Sequence, residues 1–490
     1  MNNSDHKILF IIPTFFFQEN YHKDLFYSEL PIKTLQVSAI LKKRAKISTD
    51  FLDLRFEKEL LPTYSQIKVD LVNFEEKLIK LLEHNFIEQV ETIFLIMDSS
   101  YQFLQTVLIA NILKKKFPAI RLIVAGQHPT AMSVDFSGKR SEFDMIIVGE
   151  PESAISELIN FNYFSKTKKL NHPSVIHSSN MYDLNKLPFP DYSAYLTKYD
   201  FRDFFHFTIH ASRGCPFHCS FCKIMRTRFR NFSFTHFIKR FEQLQKIVLN
   251  SNPSLPKISF LDQSYNSAIL GTKILHHIIE NKLNEIFNFT CQTRIEIIAK
   301  HKELLELFQK ARMVPGFGLE SANKQLLLEM KKTRNPTNYL KKLKEILEFY
   351  KSISEPYCRI NTLAGFPGED SNTFDDTIRF LKNSAFHENI QISPSLFIND
   401  PICSVYDNMA YYEQTYGTIF QKEWWMIQSD PLKNAVLPKP SKNYSKLQLI
   451  DDYKEKYLPL LTEFRLSPFK PLVHWKTYHN KWKNDLIKKN

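Results

Sequence analysis

Ser212-Arg213-Gly214-Cys215-Pro216-Phe217-His218-Cys219-Ser220-Phe221-Cys222 carries half of the chain's 6 cysteines. The spacing is Cys-x3-Cys-x2-Cys, on a loop fed by the strand-like run Phe205–His210 (FHFTIH). Three thiolates this close can converge on one inorganic centre. If each binds one iron of a four-iron, four-sulfur cube, the fourth iron has no protein ligand and is open to a chelating molecule. Gly214 permits a tight turn and Pro216 stiffens it. The competing reading is a structural zinc loop. Zinc usually takes four ligands from paired Cys-x2-Cys units, and the nearby candidate here is His218, which is expected at the surface.

The loop resembles the signature of the radical S-adenosylmethionine (SAM) superfamily, Cys-x3-Cys-x-aromatic-Cys, through Cys215, Cys219, Phe221 and Cys222. The resemblance implies a [4Fe-4S] cluster on the three cysteines and SAM chelated to the open iron, with Phe221 near the adenine. Reductive cleavage of SAM would give a 5′-deoxyadenosyl radical. An external one-electron donor such as flavodoxin or ferredoxin is implied as a partner.

Length and composition set bounds. At about 150 residues per domain, 490 residues suggest two to four domains. Hydrophobic content of 43% and charged content of 24% are those of a soluble globular chain. The cysteines are too few for a disulfide framework, and clustered thiolates imply a reducing, cytoplasmic setting. No signal-peptide pattern is legible, and no apolar run reaches the ~20 residues that span a bilayer. The net charge of +13 accompanies a Lys- and Asn-rich composition, so it is assigned to solvated helix faces rather than to a nucleic-acid partner.

Upstream of the loop, strand and helix signals alternate. Strands are expected at Lys7–Pro13, Ile47–Leu54, Thr92–Met97, Arg121–Ala125 and Phe143–Val148, and helices at Leu30–Arg44, Phe103–Lys116 and Glu150–Phe161. Such alternation predicts an α/β, doubly wound parallel sheet over residues 1–165, with ligands at the strands' carboxyl ends. The loops there resemble those of the cobalamin (B12)-binding domain found in front of some radical SAM cores. That likeness implies cobalamin contacts from Ser99, Ser100, Gly126, Gln127, His128, Gly149, Glu150 and Glu152. Gln127 stands where the family pattern has a glycine, and the motif supplying a lower histidine ligand is absent. Cobalt is therefore expected to take no histidine, and a domain that has lost cobalamin stays open. A lone loop histidine such as His128 is usually solvated. Residues 166–200 read as an extended connector containing Leu187-Pro188-Phe189-Pro190.

From 201 to 400, six strand-like runs each precede a helical stretch: Phe205–His210, Lys257–Leu261, Phe287–Thr293, Val314–Leu319, Arg359–Ala364 and Ile390–Ser395. Six such units match a partial (β/α)6 TIM-type barrel, whose chemistry lies on the loops after its strands. The resemblance places SAM contacts there, at Asp262, Gln263, Arg294, Gly316, Gly318, Glu320 and Ser321, with the last two facing the mouth. Gly365-Phe366-Pro367-Gly368-Glu369 resembles a further turn of the family. For each, an ordinary cap or turn is the alternative. Cys291 and Cys358 read as packing residues, and Cys403 as structural or substrate-facing. Residues 401–490, aromatic and basic, read as a helical cap over a small-molecule or natural-product substrate. The two domains together imply cobalamin-dependent methylation of an unactivated carbon. The alternatives are a radical cyclisation, rearrangement or oxidation, or a non-catalytic iron–sulfur sensor.

Overall fold

The computed structural model describes residues 7–13, 30–57, 67–85, 90–138, 141–161, 163–165, 173–178, 182–199, 206–223, 227–250, 257–260, 268–421, 437–457 and 459–460. Among them are two compact units, Met1–Phe204 with Asp400–Ile402, and Phe205–Asn399 with most of the chain from Cys403 onward.

The first unit is a six-stranded parallel sheet. Its strands are β1 (Lys7–Ile12), β2 (Ser48–Asp53), β3 (Val90–Met97), β4 (Arg121–Gly126), β5 (Met145–Val148) and β6 (Ser174–His177). They lie in the order β2-β1-β3-β4-β5-β6. The continuous apolar runs of β1 and β3 are buried nearly throughout, as strands covered on both faces must be. The helices Ile32–Ala45, Phe103–Lys116 and Pro151–Asn160 stand where periodicity placed them.

Three differences from expectation stand out. β5 starts two residues late; just before it, the Asp144 carboxylate takes the Leu122 N–H at 2.7 Å and the Lys114 ammonium at 2.7 Å. The first residue paired with β4 is Met145. The stretch 166–200 is more than a connector, since β6 pairs along all of β5. Its later part docks on the same unit: Gln36 Nε2 donates to Pro188 O at 2.6 Å, Ser38 Oγ to Asp191 at 2.9 Å, and the buried Tyr195 hydroxyl to Asp53 at 2.6 Å. The helix Ile67–Asn85 was not foreseen.

The second unit holds β7 (His206–Ile209), β8 (Ser212–Arg213), β9 (Arg230–Asn231), β10 (Lys257–Phe260), β11 (Asn288–Thr293), β12 (Met313–Glu320), β13 (Cys358–Ala364) and β14 (Ile390–Leu396). The main sheet is parallel in the order β14-β13-β12-β11-β10-β7, each strand joining the edge of the one before it. That is the order a partial barrel requires. On β13, Cys358, Ile360, Thr362 and Ala364 are buried while Arg359, Asn361 and Leu363 are half-exposed. The half-exposed face is polar: Asn361 donates to Gln292 at 2.8 Å, and Ser259 and Thr290 hydroxyls meet at 2.5 Å. The other face carries the apolar core. In helix Phe234–Asn250, Phe237, Phe241, Leu244 and Val248 are fully buried, and Phe237 and Phe241 pack on Phe260 at 6.0 and 6.4 Å between ring centres. Burying each such side chain stabilises by about 1.5–3 kcal/mol.

No helix among the described residues is long and apolar enough to cross a membrane. Of the expected C-terminal cap, the helices Ser404–Asp407, Met409–Tyr416 and Lys446–Asp452 are described. Trp424, Trp425, Trp475 and Trp482 lie outside the described residues.

Candidate active site

β7 delivers the chain into the cysteine loop, and the antiparallel pair of β8 with β9 closes its base. Gly214 has φ +77°, and a side-chain carbon there would stand 2.5 Å from Thr227 O, so only glycine fits. Cys219 is buried, Cys215 and Cys222 are half-buried, and His218 is exposed as expected.

The loop is pinned at Ser220, a buried residue that sequence gave no reason to select. Its N–H donates to Met330 O at 2.9 Å and its hydroxyl to Glu329 O at 3.0 Å. Its carbonyl accepts from the Val405 N–H at 3.2 Å and the Ser404 hydroxyl at 3.3 Å. Phe221 packs on the apolar cluster of Leu326, Met330, Phe366 and Cys403. Cys403 is fully buried there, which is a packing environment. Cys291 and Cys358 are likewise buried within their strands.

Four charged groups surround the loop. Arg294, just after β11, donates from Nη1 to Cys219 Sγ at 3.3 Å. From Nη2 it donates to Lys332 O at 2.5 Å and Glu296 at 3.0 Å. Its guanidinium carbon lies 4.1 Å from the centre of the Phe217 ring. Lys332 is buried and donates to Glu320 at 2.8 Å. Glu320 ends β12 with φ +61°, where the register against β13 slips. A left-handed glutamate at a bulge costs on the order of 1–3 kcal/mol and persists only where its surroundings hold it. Here the ion pair to Lys332 does so.

These placements shift protonation. Burial alone would lower the Arg294 and Lys332 pKa values. Attraction to the Cys219 sulfur for Arg294, and to the Glu320 carboxylate for Lys332, outweighs it and holds both groups charged. Burial pushes the Cys215 thiol up, and the neighbouring Cys219 adds to this. The Phe217 N–H and the Arg294 and Lys332 charges oppose it. Metal binding at Cys215 would have to release a proton.

The other expected SAM contacts divide. A carbon added at Gly316 would meet the Gln292 side chain at 2.5 Å, and one at Gly318 the Glu320 carboxylate at 2.2 Å and the Lys332 ammonium at 2.3 Å. Both glycines thus leave room for side chains crossing the polar face. Ser321 is fully buried and bonded to Thr377 at 3.2 Å, so it does not face the mouth as expected. Glu369 is buried and accepts from Gly365 N within its own turn. Asp262 and Gln263 lie outside the described residues.

In the first unit, His128 is fully buried in a short helix rather than solvated. Its Nδ1 meets the Ser100 hydroxyl at 2.9 Å and its Nε2 meets Asp135 at 3.2 Å. Ser100 also donates to Asp400 at 2.8 Å. With both ring nitrogens engaged, His128 is not free to bind a metal. Gly126 has φ +118°, and a side-chain carbon there would stand 2.1 Å from Met97 O, so β3 already demands this glycine. Gly149 has φ +101°, and its N–H donates to the Thr130 hydroxyl at 3.0 Å. Glu150 and Glu152 are buried, and Ser99 and Gln127 half-buried.

Residues 209–381 match the Radical SAM superfamily. The chain carries a domain of this enzyme superfamily. The match holds all three loop cysteines, Arg294, Glu320 and Lys332. The tRNA-2-methylthio-N(6)-dimethylallyladenosine synthase of Buchnera aphidicola is 23% identical over 230 residues, covering 44% of this chain and 50% of that one. An uncharacterized methyltransferase of Synechocystis is 22% identical over 347 residues, covering 68% and 60%. The chain thus spans between half and three-fifths of the length of these curated relatives. A radical SAM methyltransferase from Sphaerobacter thermophilus aligns at 13% identity and a TM-score of 0.29, covering 45% of this chain and 63% of that one.

The donor set of the radical SAM domain fits an iron–sulfur cluster. It offers three soft thiols on one short loop, with a cationic N–H aimed at one sulfur. Among the described residues, no three His, Cys, Asp or Glu side chains close on one point as ligands of a single ion do. Lys332, Glu296, Phe217 and Ser220 are the site residues that sequence reasoning missed. The charged pair Arg294-x-Glu296 at a strand end was the one available signal.

Proposed function

We propose that this chain is a radical SAM enzyme that methylates an unactivated carbon of a small molecule, with cobalamin as methyl carrier. The observation that carries the radical half is the cysteine loop with its Arg294–Cys219 contact inside the matched domain. Cys215, Cys219 and Cys222 would hold a [4Fe-4S] cluster. Gly316, Gly318 and Glu320 would border SAM, together with Phe221, Asp262 and Gln263. When bound, the cluster and SAM supply a hydrogen-abstracting carbon radical, and cobalamin supplies a methyl group.

The chain's own residues bind, orient and exclude water. The Lys332–Glu320 pair holds a charged strand end rigid, and the Ser220 tie points fix the sulfurs. The methyl-transfer half is supported by the parallel-sheet unit in front of the radical domain and by the name of the Synechocystis relative. The His128 contacts favour cobalt without a histidine ligand. The engaged loops of the first unit also favour a second reading, a radical reaction without methyl transfer.

Anaerobic reconstitution and coproduct analysis separate the two. Wild type should hold about four irons and cleave SAM under dithionite, and Cys219→Ala should do neither. With the substrate present, methyl transfer should give one S-adenosylhomocysteine for each 5′-deoxyadenosine. 5′-Deoxyadenosine alone would leave the radical reading and remove methyl transfer. Full iron and activity in Cys219→Ala would remove both.

A further inference from the structure

We propose that Arg294 serves the cluster rather than SAM, as a positioning residue. In this assignment its Nη1–H fixes Cys219 Sγ and makes the cluster easier to reduce. The inference rests on the iron–sulfur reading above and goes beyond it in naming what tunes the centre.

Arg294 commits both terminal nitrogens to the protein, and only its Nε–H is buried without a hydrogen-bond partner. The residue is buried at 7% exposure, and its planar fork is already directed. One arm reaches Cys219 Sγ at 3.3 Å, and the other reaches the Lys332 carbonyl at 2.5 Å and Glu296 at 3.0 Å. Phe217 covers the guanidinium face at 4.1 Å. Its geometry is therefore set by four partners in the protein: a sulfur, a carbonyl, a carboxylate and a ring.

The sulfur it addresses matters. Cys219 is the most buried of the three loop cysteines. An N–H donated to a ligating sulfur there stabilises the more negative, one-electron-reduced cluster over the oxidised one. It does so strongly where water is excluded. The local charges decide which feature does this. Lys332 is paired with Glu320 and Arg294 with Glu296, so the four side chains sum to no net charge. A uniform positive field is therefore absent, and the directed N–H carries the effect. Glu296, at 27% side-chain exposure, works against it by drawing charge from the guanidinium.

The test is a potentiometric titration of the reconstituted full chain, followed by the EPR signal of the reduced cluster with dithionite as electron source. In Arg294→Met the midpoint should fall far enough to cut the reduced-to-oxidised ratio at fixed potential about tenfold, which is 59 mV for a one-electron couple. Arg294→Lys, which keeps the charge but loses the fork, should fall between. Glu296→Gln should shift the other way, towards easier reduction. If Arg294→Met does not retain iron, the Lys and Gln variants carry the same comparison. Unchanged midpoints in iron-loaded Arg294→Lys and Glu296→Gln would overturn the proposal. So would an unchanged midpoint combined with loss of the SAM-induced change in the EPR signal, which would return Arg294 to SAM. A wild type that never takes up iron would instead defeat the iron–sulfur reading itself, so the two failures are distinct.

Discussion

Glu369→Gln tests whether a buried carboxyl in the turn after β13 makes this protein less stable as pH rises. Glu369 is 2% exposed and accepts one backbone N–H, from Gly365. Burial is the main cause of its raised pKa, and the Asp370 and Asp452 charges add to it against the Gly365 N–H. The carboxyl is pushed from 4.5 up to about 8. A group whose folded pKa lies above its unfolded value binds more protons when folded. Its contribution is fully present below about 4.5 and is lost as pH rises through about 8. At 1.36 kcal/mol per unit, that interval is worth up to about 5 kcal/mol. The assay is urea unfolding by circular dichroism from pH 5 to 8.5, read as the difference between wild type and Glu369→Gln so that other titrating groups cancel. The variant should gain on wild type by several kcal/mol across the window, since Gln keeps an acceptor for Gly365 and bears no charge. A difference that stays constant with pH would refute a raised Glu369. A difference moving the other way would mean the carboxylate is paired.

Two further outcomes follow from the geometry. Ser220→Ala removes the hydroxyl bond to Glu329 O and should cost about 1 kcal/mol in urea unfolding. It should also speed iron loss to a chelator from the reconstituted protein. Gly126→Ala puts a carbon 2.1 Å from Met97 O at a φ of +118°, so it should destabilise the first unit by on the order of 3 kcal/mol, seen as a lower thermal midpoint.

Much of this was legible because it is local. The cysteine spacing lies within eight positions, and the βα units announce themselves through apolar period. What was not legible acts across distance. Lys332 enters the site by a carbonyl 38 positions from Arg294, and Ser220 is tied to a residue 109 positions away. Lys332 sits in the basic run Met330-Lys331-Lys332-Thr333-Arg334, which looks solvated in one dimension. His128 was misread in part for the same reason: Ser100, 28 positions away, engages it and the Phe103 and Phe136 rings pack on it, while Asp135 lies only seven positions on. Ser321 looked like a mouth residue because sequence shows neither the register slip at Glu320 nor the bond to Thr377, 56 positions away. β6 was hidden in a proline-bearing stretch too short to announce a strand.

The tie points at Ser220 also bear on the order of events during synthesis. The cysteine loop leaves the ribosome directly after β7, yet the groups that grip it are Glu329, Met330, Ser404 and Val405, made more than a hundred residues later. With translation at ≈ 5–20 residues per second, the nascent loop spends seconds with none of these anchors. A chain halted before residue 329 would display its three thiols on an unanchored segment. Metallation that requires the anchored loop would then await the distal chain rather than the appearance of the cysteines.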